Sequence, residues 1–164
     1  MTIRVLSVLH DTTVDGPGFR TSIYCAGCGH HCPGCHNPQS WDFDGGEERS
    51  VDDLMAEITE DPFADVTFTG GDPLYQAAAF TELARRIKQE TNKNIWCYTG
   101  FLFEDIRDKA QFQKLFNHID VIVDGRFDLS QRNEDLPFRG SANQRIIDVQ
   151  KSLREDNIVM WKRT

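Results

Sequence analysis

The sequence predicts an α/β fold with a parallel sheet wound by right-handed crossovers, and three observations carry that expectation. Segments of strand period and helix period alternate along most of the chain. Two loops of unusual composition, one rich in cysteine and one a double glycine, each follow a strand directly. Beyond the N-terminal segment only about five strands are available for the sheet, too few to close a barrel.

The elements follow in order. Met1 to His10 reads as a strand, and Phe19 to Ala26 as another, with Phe19, Thr21, Ile23 and Cys25 on one face. Ser50 is an N-cap, with Asp53 at the third helical position, for a short helix whose Val51, Leu54, Met55 and Ile58 share a face. Asp65 to Thr69 is a strand, followed at once by Gly70-Gly71-Asp72-Pro73 and a helix running to about Glu90, with Leu74, Ala77, Phe80, Leu83, Ala84 and Ile87 at helical spacing. Asn94 to Thr99 is a strand closed by Gly100. A helix from about Phe103 to Phe116 leads to a strand at Asp120 to Val123, and Gln144 to Val149 is a weaker one. In such sheets ligands sit at the carboxyl ends of the strands, so the cysteine loop and the double-glycine loop should meet on one face.

Composition narrows the function classes. Of 164 residues, 39% are hydrophobic and 27% charged, as in a globular protein, and no repeat or linker marks a second domain, so residues 1–164 are expected to form one unit. The balance of 18 Lys+Arg against 26 Asp+Glu, a net charge of -8, disfavours binding driven by the phosphates of nucleic acid. No run approaches the roughly 20 apolar residues of a membrane span. The N-terminus reads as a strand and not as a signal peptide, which points to the cytoplasm, where clustered thiols signify metal or redox chemistry.

Five cysteines are present, four of them within eleven residues: Cys25, Cys28, Cys32 and Cys35. Cys28-Gly-His-His-Cys32-Pro-Gly-Cys35 sets three thiolates in a loop whose Gly and Pro let the backbone fold round a bound group. Three soft ligands suit a [4Fe-4S] cluster with one iron left open to a substrate. With Cys25 the set becomes four, and a tetrahedral zinc site is equally open from the spacing alone. The place of Cys25 on the apolar face of a strand favours a core thiol over a ligand.

The C-x3-C-x2-C spacing after a strand resembles the radical S-adenosylmethionine superfamily. Gly16-Pro17-Gly18-Phe19-Arg20, Cys28 to Cys35 followed by His36-Asn37, Gly70-Gly71-Asp72-Pro73-Leu74, Val123-Asp124-Gly125 and Arg139-Gly140-Ser141 with Asn143-Gln144 are similar to the activating proteins of anaerobic ribonucleoside-triphosphate reductases. That resemblance covers about residues 10 to 149. It implies a truncated, open (β/α) partial barrel of the radical S-adenosylmethionine type. It also implies that Cys28, Cys32 and Cys35 hold a [4Fe-4S] cluster, whose open iron chelates S-adenosylmethionine. An electron from an external donor then cleaves the sulfonium, and the resulting 5'-deoxyadenosyl radical takes a hydrogen from a glycine of the partner reductase. Gly70, Gly71 and Asp72 are implied at the methionyl group, with Asp72 a helix cap first. Gly34, Cys35 and His36 are implied at the adenine, and Arg139 and Asn143 are candidates for the carboxylate and ribose. The alternatives are an activator of the pyruvate formate-lyase type, whose cluster loop usually carries an aromatic where Gly34 stands, and a zinc-stabilised interaction module.

Other signals have plain readings. His30 and His31 read as solvated loop residues and Cys97 as a core thiol. The stretch Asp42-Phe-Asp44-Gly45-Gly46-Glu47 departs from the spacing of a calcium loop and reads as a turn.

Overall fold

The computed structural model describes residues 1–163. Seven strands form one mixed sheet in the order β3-β1-β2-β4-β5-β6-β7. They are β1 (Thr2–Thr12), β2 (Arg20–Cys25), β3 (Glu47–Ser50), β4 (Asp65–Gly70), β5 (Ile95–Tyr98), β6 (Val121–Asp124) and β7 (Arg145–Asp148). The middle four, β2, β4, β5 and β6, are parallel, as the strand–helix alternation requires. The flanks are not: β1 runs antiparallel to both β2 and β3, and β7 antiparallel to β6.

The reason lies in the connections. A parallel return needs a crossover of a dozen or more residues, usually a helix, and the short loop between Thr12 and Arg20 cannot supply one. The segment between β6 and β7 is long enough but carries only a 3-10 turn, Leu129–Gln131. Glu47-Glu-Arg-Ser50 shows no apolar alternation, so its strand is invisible to periodicity; it pairs Thr2 with Ser50 and Val5 with Glu47 at a charged sheet edge.

The helices are α1 (Val51–Thr59), α2 (Ala77–Glu90), α3 (Phe103–Ile106), α4 (Ala110–Phe116) and α5 (Val149–Glu155). Ser50 Oγ caps α1 by accepting from Asp53 N at 3.0 Å, and Val51, Leu54, Met55 and Ile58 are buried as the sequence implies. A 3-10 turn, Pro73–Gln76, precedes α2. The helix expected over 103–116 is two helices. Ile106 and Phe112 are both buried, yet six residues of continuous α-helix would turn them about 120° apart, so the break after Ile106 restores the phase. The unforeseen α5 starts where Asp148 accepts from Lys151 N at 3.0 Å and stops at Asp156, whose φ is 49°.

The two faces of the sheet differ. Ile23 and Cys25 of β2, Val66 and Phe68 of β4, Ile95 and Cys97 of β5 and Ile122 of β6 point into one core with the buried faces of α1 to α4. The alternate positions carry Trp96, Val121 and Val123, which pack with Tyr98, Phe138, Ile146 and Trp161 on the face that α1 to α4 leave uncovered. Arg20 is buried on that face too. Its guanidinium donates to Thr67 Oγ1 (2.8 Å), Val66 O (2.8 Å), Pro17 O (3.1 Å) and Asn94 Oδ1 (2.9 Å) and lies over the Trp96 ring. Burial lowers its pKa to about 10. Gly16, at φ 136°, has no side chain where one would meet Arg20 Cδ at 2.8 Å, so Gly16 to Arg20 is a clamped loop. Phe19, expected on the apolar face, is 64% exposed because the strand begins one residue later.

Candidate functional site

A cavity of about 700 Å³ opens on the face of the sheet away from α1 to α4, at the carboxyl ends of the parallel strands, within the usual range for small-molecule sites. Thr69, Tyr98 and Val123 form its floor, and Cys28, Cys32 and Cys35 all line it. The sequence-distant motifs therefore meet. Of the other residues singled out from sequence, His36, Gly70, Asp72 and Arg139 also line the cavity, while Gly34, Gly71 and Asn143 are outside its lining.

The cysteine loop is built by short-range bonds and close backbone docking. Cys35 N donates to Cys32 O at 3.1 Å across Pro33-Gly34, and Gly34 has φ 77°, the conformation that a Pro-Gly turn needs at its third position. Asn37 N donates to Cys35 Sγ at 3.4 Å. His31 stacks on Trp41 with centroids 4.5 Å apart. Gly71 N donates to Cys25 O at 3.1 Å and Asp72 N to Gly27 O at 2.9 Å, so the double-glycine turn is bonded directly to the start of the cysteine loop.

That contact revises the reading of the double glycine. A Cβ on Gly71 would stand 2.5 Å from Gly27 O, and one on Gly70, at φ 124°, would stand 2.3 Å from Cys25 N. The backbone that needs the room is the chain's own. Gly71→Val is therefore expected to push the cysteine loop away, costing about 2–3 kcal/mol of stability and lowering iron uptake together, as read by urea unfolding and iron analysis.

Asp72 is 1% exposed and its carboxylate is fully engaged. Oδ1 accepts from Leu74 N (3.0 Å), and Oδ2 accepts from Thr99 Oγ1 (2.8 Å), Gly100 N (2.9 Å) and His30 Nε2 (2.8 Å). His30 is thus not a solvated loop residue: its side chain is 3% exposed, paired with Asp72. Its burial depends on contacts between loops, which period and spacing do not register.

The far wall comes from the segment after β6. Arg139 Nη1 donates to Gln144 O at 2.7 Å, while its Nε is buried without a partner. Gln144, which the sequence did not single out for a role, accepts from Gly140 N (2.9 Å) and donates to Gly125 O (3.1 Å), and Tyr98 Oη donates to Phe138 O. Asn143 is turned to Arg126 O at 2.8 Å. His36 meets Phe127 edge to face at 5.2 Å.

All five cysteines are free thiols. Cys25 and Cys97 are fully buried in the core, and burial pushes both thiols well above the usual range. Cys28 is also raised by burial, though it reaches the cavity. Among the described residues no three His, Cys, Asp or Glu side chains are gathered as round a single metal ion. Cys25→Ala is expected to keep full iron content and cost about 1–2 kcal/mol, the loss of a small buried group, in chemical denaturation.

The sequence model of the family described as a 4Fe-4S single cluster domain matches residues 14–147. Curated relatives match over most of their length. The anaerobic ribonucleoside-triphosphate reductase-activating protein of Vibrio cholerae is 36% identical over 139 residues, covering 80% of this chain and 88% of its own. The chain belongs to that family. Proteins of the same description from Escherichia coli K12 and from phage T4 are each 34% identical, covering 80% and 81% of this chain and 89% and 86% of their own. The crystal structure of QueE from Escherichia coli shares the fold with a TM-score of 0.51 at 17% identity, over 61% of this chain and 53% of that one, so the match spans about half of QueE. No helix among the described residues is long and apolar enough to cross a membrane.

Proposed function

We propose that the chain is a glycyl-radical activating enzyme whose target is an anaerobic ribonucleoside-triphosphate reductase. The observation that carries this is that Cys28, Cys32 and Cys35 line one cavity with Gly70 and Arg139, in a chain of that family. The sheet is the wall of a truncated, open (β/α) partial barrel, and residues 1–164 form one radical S-adenosylmethionine domain.

The donor set fits a [4Fe-4S] cluster. Three soft thiols face the cavity, and Asn37 N–H already donates to one sulfur, a kind of bond that tunes such clusters. When bound, the cluster supplies an electron, drawn from an external donor, to the sulfonium of S-adenosylmethionine. The chain's residues bind and orient that substrate. The Gly70 edge of β4 offers backbone to the methionyl group, and Arg139 brings a cationic side chain to the cavity wall for the carboxylate or ribose. His36 and the backbone after Cys35 form the adenine side. Asp72 is assigned to the support of the loop, its carboxylate being occupied. Five free thiols suit a reducing cytoplasm.

Anaerobic reconstitution with iron and sulfide tests the reading. A visible absorption band, a spin signal on reduction, and release of methionine and 5'-deoxyadenosine with dithionite are expected. Zinc bound tightly with no cleavage would overturn it.

A further inference from the structure

We propose that His30 is a positioning residue whose ring seats the first half of the cysteine loop on the Gly70–Asp72 turn and so sets the thiols in register with the edge that receives the substrate. The inference deepens the function proposed above and rests on it for the identity of the ligand.

Four observations carry it. His30 lies between two cavity-lining cysteines and its neighbours Gly29 and His31 are exposed, yet its own side chain is 3% exposed. Its Nε2 donates to a carboxylate that cannot move, because Asp72 is held at the same time by Leu74 N, Thr99 Oγ1 and Gly100 N, from the turn and from the end of β5. The ring is walled edge-on by Phe101 at 4.6 Å and Tyr75 at 5.8 Å. Glycines make the room: a Cβ on Gly100 would stand 2.5 Å from the His30 ring, and one on Gly29 would stand 2.6 Å from the Tyr75 hydroxyl. By contrast, the Cys32–Cys35 half is held by its own turn and by the Asn37 N–H, both local.

The socket thus links three things that have to be in register: the Cys28 side of the loop, the glycine edge of β4 and the end of β5. A group bound to the thiols and a substrate held by the glycine edge can meet only if that spacing is fixed. An imidazole suits the post, since it donates one hydrogen bond at the bottom of an aromatic pocket on two rotatable bonds.

The test compares His30→Leu, which keeps the volume and removes the donor, with His30→Gln, which keeps a donor of similar reach. In cluster-free protein, alkylation of Cys28 by iodoacetamide, followed by peptide mass spectrometry, is expected to accelerate about tenfold in the leucine variant and to stay within about twofold of wild type in the glutamine variant. In reconstituted protein at matched iron content, the dissociation constant for S-adenosylmethionine is expected to rise about tenfold with leucine and to return within about threefold with glutamine. A role in stability alone would lower the melting temperature and iron content while leaving the affinity of the loaded fraction unchanged. If the leucine variant does not fold, Gly100→Ala, which crowds the ring without removing its donor, takes its place with the same expected rise in alkylation. Wild-type alkylation of Cys28 in the leucine variant, or a glutamine variant no better than leucine, overturns the proposal. A wild-type chain that takes up iron but no S-adenosylmethionine defeats the function reading instead, and the alkylation arm still decides the anchoring.

Discussion

Replacing Cys28, Cys32 or Cys35 singly by alanine is expected to reduce S-adenosylmethionine cleavage to the level of the uncatalysed control. Each change removes one of the three thiols that line the cavity, and no further cysteine reaches it. Cys25 and Cys97 are fully buried in the core on the other face of the sheet, and neither lines the cavity. His30 is committed to Asp72. Serine in place of each cysteine should fare little better, because a hard, high-pKa hydroxyl is a poor match for a soft metal centre. Iron and acid-labile sulfide analysis checks the first step, and chromatography of methionine and 5'-deoxyadenosine checks the second. A single alanine variant with wild-type turnover would falsify the three-thiolate assignment. Loss of metal from Cys25→Ala as complete as from Cys28→Ala would return the loop to a four-thiolate zinc site.

The same residues show what a sequence can and cannot disclose about this site. Cys28, Cys32, Cys35 and the double glycine were legible because local spacing and strand ends specify them, and the parallel strands bring strand ends together by topology. The antiparallel flanks were not legible, because direction depends on whether a crossover element exists, and the stretch of 125–144 gives no periodic signal either way. Glu47–Ser50 pairs through its backbone at an edge where side chains need no apolar pattern. Inside the site, His30 from the cysteine loop and Thr99 and Gly100 from the loop after β5 converge on Asp72, and no period within one segment encodes such convergence. Gly71 shows the converse: a glycine beside a ligand site looks the same in sequence whether a ligand or the neighbouring loop needs the space, and here Gly27 O takes it.

The isolated chain is expected to cleave S-adenosylmethionine slowly and to transfer no hydrogen from a short glycine-containing peptide, whereas the complete reductase should gain a glycyl radical under the same conditions. The cavity is open to solvent, and its rim carries Val14 at 71% exposure. A hydrogen-abstracting radical formed there has solvent and small molecules as competing donors unless water is expelled, and the rim residues are too sparse to close over it. Closure is expected from the partner's surface. On one side of the cavity the loop at Thr13 to Asp15 is anchored at Asp15, with Thr67 Oγ1 donating to Asp15 O at 2.8 Å and Tyr24 Oη donating to Asp15 Oδ2. On the opposite side, Glu134 to Arg139 form the other lip, tied down by Tyr98 through Phe138 O. A partner segment entering between these lips would bury the apolar rim and exclude water in one step, so cleavage and abstraction become coupled only in the complex. Electron paramagnetic resonance of the glycyl radical, set against the yield of 5'-deoxyadenosine, measures that coupling. Stoichiometric radical formation on a short free peptide by this chain alone would show that the site is complete without its partner.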